Sequence, residues 1–266
     1  MNVRVRFAKY GAVKFVGHLD VLRYFQKAVR RAELDIVYSK GYHPHQIMSF
    51  ALPLGVGLTS DSEYMDMELY GAFTPKEVTE RLDAAMTEGF SVTGCRVLPE
   101  PENGRKREAA MSLIAAADYL VSLKDGYAFP LDGEAFYREF QAFCGQERIP
   151  VLKKMKKSGE EQEMDVKQFL YGIGRDREEL LSNTGAVRPP DVVTESYQTE
   201  VRSRAERYEN GRTLAMRLSA GSANNIRPEL LTEAFCHACD TEYNPYAWQI
   251  HRFDLYGGTA PDFERL

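Results

Sequence analysis

Three of the chain's five histidines, His18, His43 and His45, fall close together in sequence. A neutral imidazole ligates metals, and near neutral pH it also takes and gives protons. His43 and His45 flank Pro44 inside the run Ser39–Leu58, where Gly41, Pro44, Pro53, Gly55 and Gly57 interrupt a series of β-formers. Such a run reads as an extended segment with a loop end that displays polar rings. Whether His43 and His45 face one ion therefore turns on a backbone bend at Pro44. No fourth ligand stands nearby in sequence, so the reading assigns no metal. Hydrogen bonding, substrate contact and acid–base work stay open for His18, His43 and His45.

Cations form the second set. Asp20, Arg23, Lys27 and Arg30 share one face of a helical pattern, with Arg31 beside them. Read plainly, this is a solvated face; read functionally, it is a ridge that tracks phosphates. Lys40 and Tyr42 lie next to the histidine pair. Lys153, Lys154, Lys156 and Lys157 make a basic hairpin tip suited to an RNA backbone, although Glu160, Glu161 and Glu163 follow and offset it. Gly221, Ser222 and Asn224 precede a helix and are candidates to hold an anion on backbone N–H groups. They lack the lysine and spacing of a P-loop. A single Cys236-x-x-Cys239 pair on an apolar helix reads as buried thiols rather than a zinc site.

Composition narrows the classes. At 266 residues, 44% hydrophobic and 27% charged, the chain has material for one large or two compact domains. Its net charge of −5 rules out a global basic field, so a nucleic-acid partner needs a local patch. Four scattered cysteines do not make a disulfide framework. No apolar run nears the roughly 20 residues of a membrane helix, and the alternating start Val3–Phe7 is a strand rather than a signal peptide. A cytoplasmic location and no cofactor are the expectation.

The elements that position these residues follow from periodicity. Val3, Val5 and Phe7 alternate with Arg4 and Arg6, predicting a strand with one buried face that resumes at Val13–Val16. A helix runs from Gly17–Asp20 to Glu33, with Leu22, Phe25, Val29 and Ala32 inward. Ile36–Tyr38 begins a strand, residues 59–63 make a polar connection, and Tyr64–Tyr70 is a third strand. Thr74-Pro75-Lys76-Glu77 is a capping box opening a helix. Phe90–Leu98 is a fourth strand. Strand, helix, strand, strand, helix, strand is the order of a ferredoxin-like sandwich. Residues 101–116 read as a linker after the N-terminal unit 1–100. The second unit, 117–266, repeats the order less clearly: strands at Asp118–Leu123, Thr213–Leu218 and Trp248–Leu255, a hairpin around residues 151–170, helices around Phe136–Phe143 and Pro228–Cys239, and a polar insertion around 175–211. The predicted fold is α+β, two tandem ferredoxin-like units with antiparallel sheets and helices on one face.

Gly17–Asp20, Arg30–Ala32, Tyr38–His45, Ser49–Val56 and Ala220–Ser222 together resemble a bacterial radical SAM-linked family of unknown function. The likeness is densest over residues 15–70, and Asp165–Lys167 is a looser match. The resemblance implies a radical SAM protein as partner, with RNA as the substrate class inferred from that company and from the fold. It carries no catalytic residues over. The chain has no CxxxCxxC triad for a four-iron cluster, so it is not itself the radical enzyme.

Three functions compete on these grounds. The first is a non-catalytic accessory protein that presents residues 39–58, His18 and the Arg23/Lys27/Arg30 ridge to RNA or to the partner enzyme. The second is a metal-independent endoribonuclease, by analogy of fold with CRISPR repeat-processing enzymes. His18 or His43 would then move the proton, and Arg23 or Lys40 would steady the phosphate. The third is a purely structural subunit, in which these residues face nothing in common.

Overall fold

The computed structural model describes residues 1–101, 107–154, 161–185, 203–221 and 224–266. It is a mixed α+β structure with six α-helices among the described residues and one large, mostly antiparallel sheet. The first half contributes β1 (Asn2–Lys9), α1 (His18–Arg31), β2 (Met48–Phe50), β3 (Thr59–Glu68), α2 (Pro75–Ala84) and β4 (Phe90–Val97). The second half contributes α3 (Ala110–Leu113), β5 (Ala116–Leu123), α4 (Gly133–Gly145), the separate hairpin β6 (Pro150–Lys154) and β7 (Glu161–Asp165), β8 (Leu170–Gly174), α5 (Arg177–Thr184), β9 (Thr213–Ser219), α6 (Pro228–Ala238), β10 (Trp248–Thr259) and β11 (Asp262–Arg265). The main sheet runs β4-β1-β3-β10-β5-β9-β8, with β2 added on β3 and β11 on β10.

The long helices α1, α2, α4 and α6 bury against strands of their own half, whereas the short α3 also meets β2 and β3 of the first. Val3, Val5 and Phe7 of β1 pack with Phe25 and Val29 of α1 and with Val78 and Leu82 of α2. In the second core, Phe235 of α6 meets Phe136, Phe140 and Phe143 of α4 at ring-centroid distances of 5.4, 5.2 and 5.7 Å. Leu214, Met216 and Leu218 of β9 join it. The predicted capping box is formed: Thr74 Oγ1 accepts from the Glu77 N–H at 3.2 Å, and the Glu77 carboxylate accepts from the Thr74 N–H at 2.8 Å. Exposed apolar run or not, no helix among the described residues is long and apolar enough to cross a membrane.

Several local expectations are corrected. Gly11–Phe15 forms a 3₁₀ turn rather than resuming the strand. Residues 36–47 make only the isolated bridges Ile36–Leu69 and Tyr38–Gln46, so most of the stretch ahead of β2 is irregular. Residues 59–63 are the start of β3 and not a connection, and all five are buried. The alternate face of β1 is buried as well: Arg4, Arg6 and Lys9 are 1%, 0% and 2% exposed. The physical reason is shared by both: the polar side chains of β3 and β1 satisfy one another and those of β10. β3 and β10 run parallel, His251 opposite Thr59 and Arg252 opposite Ser60, which joins the two halves into one sheet.

Across that join lies a buried ionic layer. Arg6 faces Asp254 at 3.3 Å with both side chains wholly buried. Asp254 also accepts from the Tyr64 hydroxyl at 2.5 Å and pairs with Arg265 at 2.9 Å. Arg252 donates to both oxygens of Glu63 and to the Leu52 carbonyl. His251 stands between Thr59 Oγ1, 2.8 Å from its Nδ1, and Asp61, 3.1 Å from its Nε2. Within the second half, Arg217 grips Asp118 through two bonds of 2.7 and 2.9 Å, while the Tyr256 hydroxyl adds a third at 2.7 Å. Buried charges survive only when paired and bonded in this way.

Candidate functional site

The histidine-bearing stretch is built as an irregular hairpin. Ile47 N–H donates to the Val37 carbonyl and Ser39 N–H to the His45 carbonyl, each at 2.8 Å. Ser39 Oγ lies 2.8 Å from His45 Nδ1 and accepts from the His45 N–H at 3.0 Å. These bonds close the tip 39–45. Gly41, with φ of 118°, sits in the region a side chain disfavours. Tyr42 is fully exposed at the tip, with Lys40, His43 and His45 also exposed.

One side chain docks this tip on α1. Gln46 is 6% exposed and donates through Nε2 to the Gln26 carbonyl at 3.2 Å. Gln26 lies on α1 between Arg23 and Arg30 in sequence, so the hairpin is tied to the helix that carries the cationic ridge. Arg23 pairs with Asp20 at 3.0 Å, both exposed. Arg31 donates to the Ala85 carbonyl at 2.9 Å and covers the Tyr24 ring. Lys27, Arg30 and Lys40 are exposed and make no ion pair among the described residues.

The three histidines have separate surroundings. His18 is half-buried at the start of α1, its ring edge-on to Phe50 at 5.4 Å. His45 bonds Ser39, and His43 stands in solvent. Because Gln26 is eight residues along α1 from His18, at 1.5 Å per residue the tip docks ~12 Å from the His18 turn. No contact brings the three rings together, and no group of three or more His, Cys, Asp or Glu side chains among the described residues is arranged to hold a metal ion.

The other candidates lie elsewhere. Lys153 and Lys154 are in β6, whereas Lys156 and Lys157 lie outside the described residues, as does Ser222. Gly221 has φ of 101°, and a Cβ there would sit 2.3 Å from the Ile114 carbonyl oxygen. Packing alone therefore demands glycine. Gly221→Ala is expected to lower stability by about 1–3 kcal/mol, read as a shift of the urea midpoint. Asn224 offers its carbonyl to Ser219 Oγ at 2.8 Å, and the helix beyond it begins at Pro228.

Cys236 is buried and Cys239 half-buried, both as free thiols. Burial pushes the thiols of Cys95, Cys144 and Cys236 up to about 12. Folded-state values above the unfolded one mean stability is intact below pH 9 and is lost as pH climbs toward 12, because only the unfolded chain sheds these protons. Urea midpoints measured from pH 8 to 11 are expected to fall, and the native thiols to react slowly with a disulfide reagent at pH 8.

Sequence reasoning missed the polar layer at the join of the sheet. Its one signal is the crowding of Thr59-Ser60-Asp61-Ser62-Glu63 directly before a clean alternation: a five-residue polar run in strand register with Met65 and Met67.

Comparison with known proteins adds a family and little more. The model of a family described as "Uncharacterized protein conserved in bacteria (DUF2344)" matches residues 2–228. No curated protein matches at a significant level. Among solved structures, the crystal structure of an unknown protein from Galdieria sulphuraria aligns over 100% of this chain and 98% of its own. The identity is 10% and the TM-score 0.25, too low for a shared fold to be argued from it.

Proposed function

Since the chain belongs to the bacterial family DUF2344, which comes without an assigned activity, we propose from its own surface that it is a non-catalytic, RNA-binding accessory protein. The observation that carries this is the bond from Gln46 to the Gln26 carbonyl, which ties the hairpin bearing the exposed Tyr42 and Lys40 to the helix bearing the exposed Lys27 and Arg30, neither of them in an ion pair among the described residues. Exposed aromatic faces for bases next to cations for phosphates are how single strands are held without strict sequence preference. We read the strand sets β4-β1-β3-β2 and β10-β5-β9-β8 as two ferredoxin-like units fused edge to edge, each with the second and fourth strands outermost. In that reading the RNA surface belongs to the helix side of the first unit.

The radical SAM enzyme remains the proposed partner. Co-purification of a tagged chain with that enzyme, reconstituted from the same bacterium, tests it; recovery of the tagged chain alone under gentle salt removes the partnership and leaves the RNA reading to its own assay. That assay is fluorescence anisotropy with a labelled single-stranded RNA. Binding in the micromolar range or tighter that weakens steeply from 50 to 200 mM salt is expected. Binding that matches an acidic control protein overturns the proposal. Intact RNA after prolonged incubation is the expected companion result, and cleavage abolished by His18→Ala or His43→Ala would replace the accessory reading with the nuclease one.

A further inference from the structure

A cleft of about 260 Å³ opens where three distant parts of the chain meet: the edge strand β4 with its neighbour β1, the segment leading into α3, and the terminal strand β11. Its walls carry four arginines, Arg4, Arg96, Arg107 and Arg265, and its apolar floor is Leu98 and Leu113. Arg4 and Arg96 are register partners on adjacent antiparallel strands. Like charges directly opposite one another on a sheet repel, so this placement costs stability unless something negative stands in front of them.

Protein carboxylates answer part of that charge. Asp66 takes Nε and Nη2 of Arg4 at 2.7 and 2.9 Å, Asp254 takes Arg265 at 2.9 Å, and Glu100 lies 3.4 Å from Arg107. Glu108 and Glu264 also stand on the wall. Yet a donor remains. Arg4 is 1% exposed and spends Nε and Nη2 on Asp66. Arg107 Nη2 is buried and makes no hydrogen bond; its one ionic neighbour, Glu100, is largely in solvent. A buried guanidinium N–H group without an acceptor is costly, and this one lines the hollow.

We propose that this cleft binds a small phosphate-type dianion, either the free ion or a monoester with a short organic arm. Guanidinium forks match phosphate oxygens two at a time and stay charged at every physiological pH. The volume lies just below the 300–1,000 Å³ range of larger ligand sites, and Leu98 and Leu113 would meet an ester's carbon atoms. The site shares no residue with the proposed RNA surface, so each stands or falls alone.

Thermal unfolding in added inorganic phosphate, and separately in glycerol phosphate, tests this against sodium chloride at equal ionic strength. A saturable rise in Tm of ~2 °C or more beyond chloride is expected, since a ligand that binds only the folded state stabilises it by mass action. Arg107→Met is expected to weaken the apparent affinity tenfold or more while changing the Tm without phosphate little, because it gives up only a bond to the Pro99 carbonyl and an ion pair with the exposed Glu100. Arg96→Met provides the second variant. A response to glycerol phosphate at least as tight as to phosphate places an ester in the cleft; a response to phosphate alone assigns the free ion. A shift no larger than chloride's, or one that survives the Arg96→Met, Arg107→Met double variant, overturns the site. Lys27→Glu, Arg30→Glu chain retaining the phosphate response is the expected control, and its loss there would move the anion to α1 and overturn the cleft.

Discussion

Asp254→Ala is expected to cost about 3–5 kcal/mol of stability and to unfold both halves in one transition. The carboxylate is wholly buried at the join of the sheet and is shared by Arg6, Arg265 and Tyr64. Removing it leaves the Arg6 charge at a site with no exposure and without the carboxylate that faces it. Ser62 Oγ still accepts from Arg6 at 2.6 and 2.9 Å, but a hydroxyl brings no countercharge. Since Arg6 is on β1 and Asp254 on β10, the loss acts on the first and second halves together. Urea unfolding followed by tyrosine or tryptophan fluorescence and by far-UV circular dichroism checks this. The single Trp248 reports the second half, and the helices of both report in the ultraviolet. A loss under 1 kcal/mol, or two separated transitions in the parent chain, would show that the ionic layer does not weld the halves.

Charge reversal on α1 is the second large effect. Lys27→Glu together with Arg30→Glu is expected to weaken single-stranded RNA binding by at least tenfold and to flatten its salt dependence. Both side chains are exposed and in no ion pair among the described residues, so folding should be spared, and an unchanged Tm confirms that. Tyr42→Ala removes a stacking face without touching charge. It is expected to lose about 1–3 kcal/mol of binding with the salt slope retained. The two signatures differ, which separates a stacking contact from an electrostatic one. Unaltered affinity in both variants would mean that RNA, if bound, is held elsewhere.

Much of the frame was legible in the residues alone. Phe25 and Val29 at helical spacing marked the inner face of α1, Val3, Val5 and Phe7 the inner face of β1, and Thr74-Pro75-x-Glu77 the start of α2, because local periodicity and capping are set by neighbours in sequence. The exposed cations of α1 were legible for the same reason. The missed β8 and β11 are only five and four residues long, and Gly172 and Gly174 weaken any strand pattern in β8.

What the chain's sequence decided by itself is the identity and facing of most elements and the position of its surface cations. What tertiary structure decided is the fate of its polar strand residues. Arg4, Arg6, Asp61, Glu63 and Asp254 are hydrophilic by type, and alternation alone puts them in water. Arg4 is buried against Asp66 of the neighbouring strand β3; the others are buried because β3 and β10 meet in parallel across 192 residues of chain and bring opposite charges within bonding distance. A pairing between residues so far apart leaves no trace in local pattern, since its energy exists only once both partners have left water.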